Sequence, residues 1–212
     1  LMETVETAPV TVRRPLGPEE SGRADFYALL ARLFSAAPDG PLLQAIALAA
    51  PIEGEGADPN LARAWAELSA ASAVFEAEAA EEEYEKLFVG VGAALVSIHV
   101  GHYTGASSVD HPRARIRQDL AALGLAPRES LTQPEDHFAV LFESMRVLAG
   151  GAPGRDPAAI ESQRAFFRAH LEPAYGAFAK AIVACDEANY YRKAAALALA
   201  FLDIEKQSFN LE

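Results

Sequence analysis

The sequence predicts an all-α protein: a single compact bundle of about nine helices, with a long glycine-rich loop between an N-terminal and a C-terminal helix group. Three observations carry this. Alanine is abundant and β-branched runs are absent, as helices prefer. Apolar residues recur three and four positions apart along most of the chain. Proline and glycine break these stripes at short intervals, and several stripes open on a proline, where a missing N–H costs nothing. No self-similarity at about 30–50 residues is present, which argues against a helical solenoid.

Residues 1–18, with Pro9, Pro15 and Pro18 and no periodicity, read as a flexible lead-in to an all-helical domain over 19–212. Phe26, Leu29, Leu30, Leu33 and Phe34 form the first stripe, ended by Pro38-Asp39-Gly40. Leu42, Leu43, Ile46 and Leu48 make a short second helix, stopped by Pro51 and Gly54-Glu55-Gly56. A third runs from about Asn60 through Trp65 and Leu68 to Phe75, and a fourth from about Ala79 to Phe88. These make up the group 19–88. The second group, 112–206, holds helices near 113–123, 134–148, 157–170, 173–185 and 187–206.

Between the groups lies loop 89–111. Its 23 residues hold Gly90, Gly92, Gly101 and Gly105, the histidines His99, His102 and His111, and an apolar set of Leu95, Val96, Ile98, Val100 and Tyr103. Loops of this length are uncommon in compact domains and are often functional. This one is too apolar for a solvated linker and is expected to pack across the bundle and line a groove.

Gln133-Pro134-Glu135-Asp136-His137 precedes a core-facing stripe of Leu141, Phe142, Met145 and Leu148. Thr132 and Glu135 have capping-box spacing, and Pro134 is expected in the first helical turn. At about 100° per residue, His137 would sit at the edge of the stripe while Asp136 turns away from it. The helix start favours an ionised Asp136 and a mostly neutral His137. As consecutive helical residues they diverge, so they form no acid–base dyad.

The net charge of −12 speaks against a sequence-independent grip on nucleic acid, which needs Lys and Arg on the phosphates. Cys185 is the lone cysteine, so an internal disulfide is impossible, in keeping with a cytoplasmic protein. The N-terminus has neither a basic nor an apolar signal region, and no run approaches the roughly 18 apolar residues of a membrane span. No metal is expected, because His99, His102 and His111 have only Asp110 as a nearby carboxylate in sequence. Gly90-Val91-Gly92 lacks the third glycine of a dinucleotide fingerprint and follows a helix, not a strand. Glu81-Glu82-Glu83-Tyr84-Glu85 is either a solvated helix face or an acidic rim set to meet a basic peptide.

Three segments resemble one family. Tyr84-Glu-Lys-Leu87-Phe88-Val-Gly90 is similar to a Y-x-x-L-F-x-G segment, and Gln133–Phe138 to an E-P-x-D-H signature. His170-Leu171-Glu-Pro173-Ala-Tyr175, followed by Tyr190-Tyr191-Arg192, is similar to an H-L-x-P-W-like segment. In order and spacing, this set resembles the TorD/DmsD/NarJ family of chaperones for complex iron–sulfur molybdoenzymes. The resemblance implies a cytoplasmic, non-catalytic, cofactor-free chaperone. Its partners would be the N-terminal leader, often a twin-arginine signal peptide, and the apo form of a molybdopterin-containing oxidoreductase subunit.

The resemblance also implies leader-binding roles for Leu87, Asp136 and His137, with the segment after Gly90 forming part of the site. The peptide site expected is Tyr84, Leu87, Phe88, His99, Tyr103, Asp136 and His137. Leu87 and Phe88 would be an apolar wall, Asp136 a charge for arginine, His137 a hydrogen-bonding group and Tyr103 a stacking surface. The family's Pro- and Trp-rich continuation is missing: no proline lies between Gly90 and Pro112, and Tyr103 alone keeps the terminal aromatic. A differently shaped groove is therefore expected. Two alternatives stand beside this reading. One is a NarJ-like assembly chaperone whose client is not exported; the other is a metal-dependent hydrolase using His99, His102, His111 and Asp136. The chaperone would be a monomer or a helix-swapped dimer.

Overall fold

Carboxylates tie off four of the helix starts, three of them local and one distant. In the computed structural model, which describes residues 16–54, 56–90, 93–105, 112–125 and 133–211, helix α1 spans Pro18–Ser35. Gly17 N–H donates to the Glu20 carboxylate at 2.9 Å, tying off its first turn. Asp39 accepts from Leu42 N–H to start α2 (Gly40–Ala47), and Asp58 accepts from Asn60 and Leu61 N–H to start α3 (Pro59–Ser72). Helix α4 (Ala77–Tyr84) runs into a π-turn, Glu85–Val89, closed by Gly90 N–H donating to Glu85 C=O at 2.7 Å.

The second group holds α5 (Pro112–Ala122), α6 (Phe138–Gly150), α7 (Ile160–Phe166), α8 (Tyr175–Ala184) and α9 (Tyr190–Leu211). Among the described residues there are nine α-helices and no strand, as the periodicity predicts. A second π-turn, Phe167–Leu171, follows α7. The extra residue in such a turn lets neighbours face inward together: Leu87 and Phe88 are both buried, as are Phe166, Phe167, His170 and Leu171.

Helix α1 packs along α6, and α9 lies between α3 and α8. The α1–α6 contact is close because Gly150 has no side chain; a Cβ there would fall 2.7 Å from the Ala24 Cβ. Phe34 is a centre of the core, with the rings of Phe88, Phe142, Phe178 and Tyr191 at 5.2–6.1 Å.

Two buried carboxylates join distant parts of the chain. Glu83 on α4 accepts from the N–H groups of Asn189, Tyr190 and Tyr191 at 2.8, 3.0 and 2.8 Å, capping α9 from across the fold. The acidic stretch 81–85 is thus not uniformly a solvated face. Glu205 on α9 accepts both guanidinium N–H groups of Arg23 at 2.7 and 2.8 Å, and the Tyr27 hydroxyl at 2.9 Å.

Several expected boundaries move. Helix α6 begins at Phe138, not Pro134, because the His137 side chain caps it; Thr132, the other half of the expected capping box, lies outside the described residues. Helix α7 begins at Ile160 instead of Pro157, since the backbone is still extended at Ala159, where Ala158 N–H ties the segment to Leu148 C=O. The second π-turn delays α8 to Tyr175, and the Glu83 cap sets α9 at Tyr190. Residues 1–15, Val91, Gly92, Asp110 and His111, which carry other sequence expectations, lie outside the described residues.

Candidate functional site

The site forms where the glycine-rich segment meets the start of α6. Val100 N–H donates to Asp136 C=O at 2.8 Å, and Phe138 N–H donates to Ile98 C=O at 3.1 Å. These two bonds make an isolated antiparallel bridge between His99 and His137. The segment is held from the other side by Val96 N–H, which donates to Leu87 C=O at 2.8 Å in the first π-turn. Val96, Ile98 and Val100 are buried, so the expected packing across the bundle is observed. A short 3-10 turn, Val100–His102, then leads to Tyr103.

This pairing turns Asp136 and His137 into residues before the helix. The Nδ1 atom of His137 accepts from Ala139 N–H at 3.2 Å, which requires that nitrogen to be unprotonated. Burial, then the charge of His99, lowers the His137 pKa to about 4, with Asp136 opposing. A neutral capping imidazole follows, as the sequence suggests, although burial and not the helix dipole is the main cause.

Asp136 does not point outward. Its side chain is 12% exposed, and Oδ1 lies 3.3 Å from His99 Nδ1 and 3.5 Å from Arg113 Nε. Burial pushes its pKa up, but the His99 hydrogen bond and the charges of His99 and Arg113 outweigh this and hold it below the usual value. Beside it, Glu135 is also 12% exposed and takes Arg117 Nε at 2.6 Å and an Arg113 nitrogen at 3.7 Å. The Arg117 hydrogen bond is the main cause of its lowered pKa. Two adjacent carboxylates thus stay ionised in a half-dry turn, with the guanidinium groups of Arg113 and Arg117 as their partners.

His99, beside Asp136, and Tyr103 are both partly exposed. The Tyr103 hydroxyl donates to Ser97 C=O at 2.6 Å, and its ring stands 6.0 Å from Phe138 and 5.9 Å from Phe178. His99 and His137 rings meet edge to face at 5.5 Å. Three of the expected site residues therefore come together, His99, Asp136 and His137, and Tyr103 packs on the neighbouring Phe138. Tyr84, Leu87 and Phe88 do not join them at the surface. They are 9%, 0% and 6% exposed and pack in the core, so in this conformation they back the site and offer little wall to a ligand.

His102 is exposed and meets the Tyr103 ring edge to face at 4.9 Å, and no cluster of three metal-ligating side chains occurs among the described residues. Sequence reasoning passed over Glu135, Arg113 and Arg117 as site residues. Pro112 opens a helix on which Arg113 and Arg117 are spaced i, i+4, one face of a turn, but nothing local ties that face to Glu135.

Comparison with known proteins agrees with this architecture. Residues 55–180 match the model of the nitrate reductase delta subunit family. The chain is 32% identical over 104 residues to the chaperone protein TorD of Vibrio cholerae serotype O1, with matches to several strains. It spans about half the length of these curated relatives, 47% of either chain. A solved structure from Archaeoglobus fulgidus, described as a redox enzyme maturation protein, superposes with a TM-score of 0.55 at 18% identity, covering 93% of this chain and 99% of that one.

Proposed function

Because the chain belongs to the nitrate reductase delta subunit family, we propose that it is a cytoplasmic, non-catalytic maturation chaperone for a molybdoenzyme subunit, and that it recognises the subunit's N-terminal leader. One observation carries the leader reading: the adjacent, ionised carboxylates of Glu135 and Asp136, in a turn that runs directly into Phe138, against which the half-exposed Tyr103 ring packs. A leader with arginines next to an apolar stretch matches both halves of that surface. Asp136 and Glu135 would take the guanidinium groups, His99 would help hold Asp136, and Tyr103 would stack on the peptide. His137 would act by keeping the turn in shape through its cap on α6, with Tyr84, Leu87 and Phe88 packed behind it. Similarity to the Vibrio cholerae chaperone TorD supports the chaperone class.

A second reading is a NarJ-like assembly chaperone whose client is not exported and whose client's leader lacks adjacent arginines. It is favoured by the segment after Gly90, which has no proline up to Pro112.

Co-expression with the client subunit tests the proposal. The full-length subunit should co-purify with this chain, and a subunit lacking its leader should co-purify poorly. Equal recovery of the two forms would reject leader recognition.

A further inference from the structure

We propose that Arg113 and Arg117 set the specificity of the peptide site by occupying it. They are internal guanidinium ligands of Glu135 and Asp136 that an incoming peptide must replace with arginines of its own. This rests on the peptide-binding reading above.

The pairing is asymmetric. The Glu135 and Asp136 side chains are 12% exposed with the arginines in place, and Asp136 is held by the backbone bonds of the His99–His137 bridge, so the acceptors have less freedom than their partners. The Arg113 and Arg117 side chains are 53% and 64% exposed and sit on long stems. They can swing into solvent while the buried Ile116 and Leu120 keep α5 anchored to the fold. By contrast, the Arg23–Glu205 pair is 15% and 2% exposed on its two sides, a locked structural contact.

The contacts also have the form of a replaceable ligand. Arg117 Nε makes a short 2.6 Å bond to one Glu135 oxygen. Arg113 bridges more loosely, at 3.7 Å to the other Glu135 oxygen and 3.5 Å to Asp136. Asp136 keeps His99 at 3.3 Å when the arginines leave, whereas Glu135 loses both of its cations, so their departure is favoured by the arrival of another. Exchange then favours guanidinium over ammonium, because a planar fork satisfies paired oxygens and is more weakly hydrated. A peptide with no arginine has nothing to exchange and is turned away.

The test is fluorescence anisotropy with two labelled synthetic peptides, one carrying two consecutive arginines before a leucine-rich stretch and one carrying lysines instead. Arg113→Gln and Arg117→Gln keep helix propensity and much of the stem. Arg115→Gln, on the same helix, is the control for net charge. Each single variant should bind the arginine peptide about threefold more tightly and the double variant about tenfold, with Arg115→Gln within about twofold. The lysine peptide should gain at least as much on the double variant. In a Glu135→Gln background, Arg117→Gln should bring no gain, and circular dichroism should stay unchanged throughout. Wild-type binding with a double variant no tighter than Arg115→Gln would overturn the competitor role and leave peptide recognition standing. No binding of either peptide to any variant would overturn both.

Discussion

Replacing Glu83 by alanine should cost more than the loss of any local helix cap. Its carboxylate takes three backbone N–H groups at the start of α9, at 2.8–3.0 Å, and two of these bonds are buried. A local cap replaced by alanine costs about 0.5–2 kcal/mol because water takes over its role. Here the Tyr190 and Tyr191 donors are left dry, at about 1–3 kcal/mol each. The three bonds share one carboxylate and cannot simply be summed, so the expected loss is about 3–5 kcal/mol. Against a typical total of about 5–15 kcal/mol, that is a large fraction. Glu83→Gln should lose roughly 1–3 kcal/mol: its oxygen can keep Asn189 and Tyr191, while its NH2 group opposes Tyr190 N–H. Urea unfolding followed by circular dichroism reads both, as a lower midpoint at unchanged slope. A loss below about 1 kcal/mol for the alanine variant would show that α9 does not depend on this cap.

Acid titration should reveal His137. Its folded pKa is lowered to about 4, against about 6.5 in an unfolded chain, so the unfolded state takes the proton first. This contribution is fully present above about pH 6.5 and fades as pH falls toward 4, by roughly 3 kcal/mol at most. His137→Asn keeps an N-cap acceptor without a titrating group, and its urea midpoint should be flatter across that window; a pH profile equal to wild type would contradict the assignment. Gly150→Ala should destabilise by about 1–3 kcal/mol despite better helix propensity, because its Cβ collides with Ala24. Adding Ala24→Gly should restore most of the loss, and a thermal melt that shows no rescue would refute the close contact.

The helices were legible because their signals are local. Stripes such as Leu30, Leu33 and Phe34 mark a buried face wherever the neighbours lie, and Asp39 and Asp58 cap within three residues. Glu83 and Glu205 could have been found the same way. Glu83 lies on one stripe with Ala80, Tyr84 and Leu87, and Glu205 sits between Phe201 and Phe209 at four-residue steps. A charge on an apolar stripe signals a buried partner, although only the fold identifies Arg23 or the start of α9.

The site was half legible. Asp136 and His137 drew attention as a pair, but a capping-box pattern put them inside the helix. Their real geometry depends on pairing with Ile98 and Val100, which no window of sequence contains. The π-turn is likewise silent in a periodicity of 3.6, and it draws Leu87 and Phe88, the expected apolar wall of the groove, together into the core.

Isothermal titration of the client's leader peptide into wild-type protein and Asp136→Asn tests the central claim most directly. Asparagine keeps the shape of the turn and removes the charge that would take the leader's arginine. A fully engaged charge pair predicts binding weakened about tenfold or more, with unchanged helicity and a smaller salt dependence. Equal affinity for the two proteins would contradict leader recognition by this carboxylate turn.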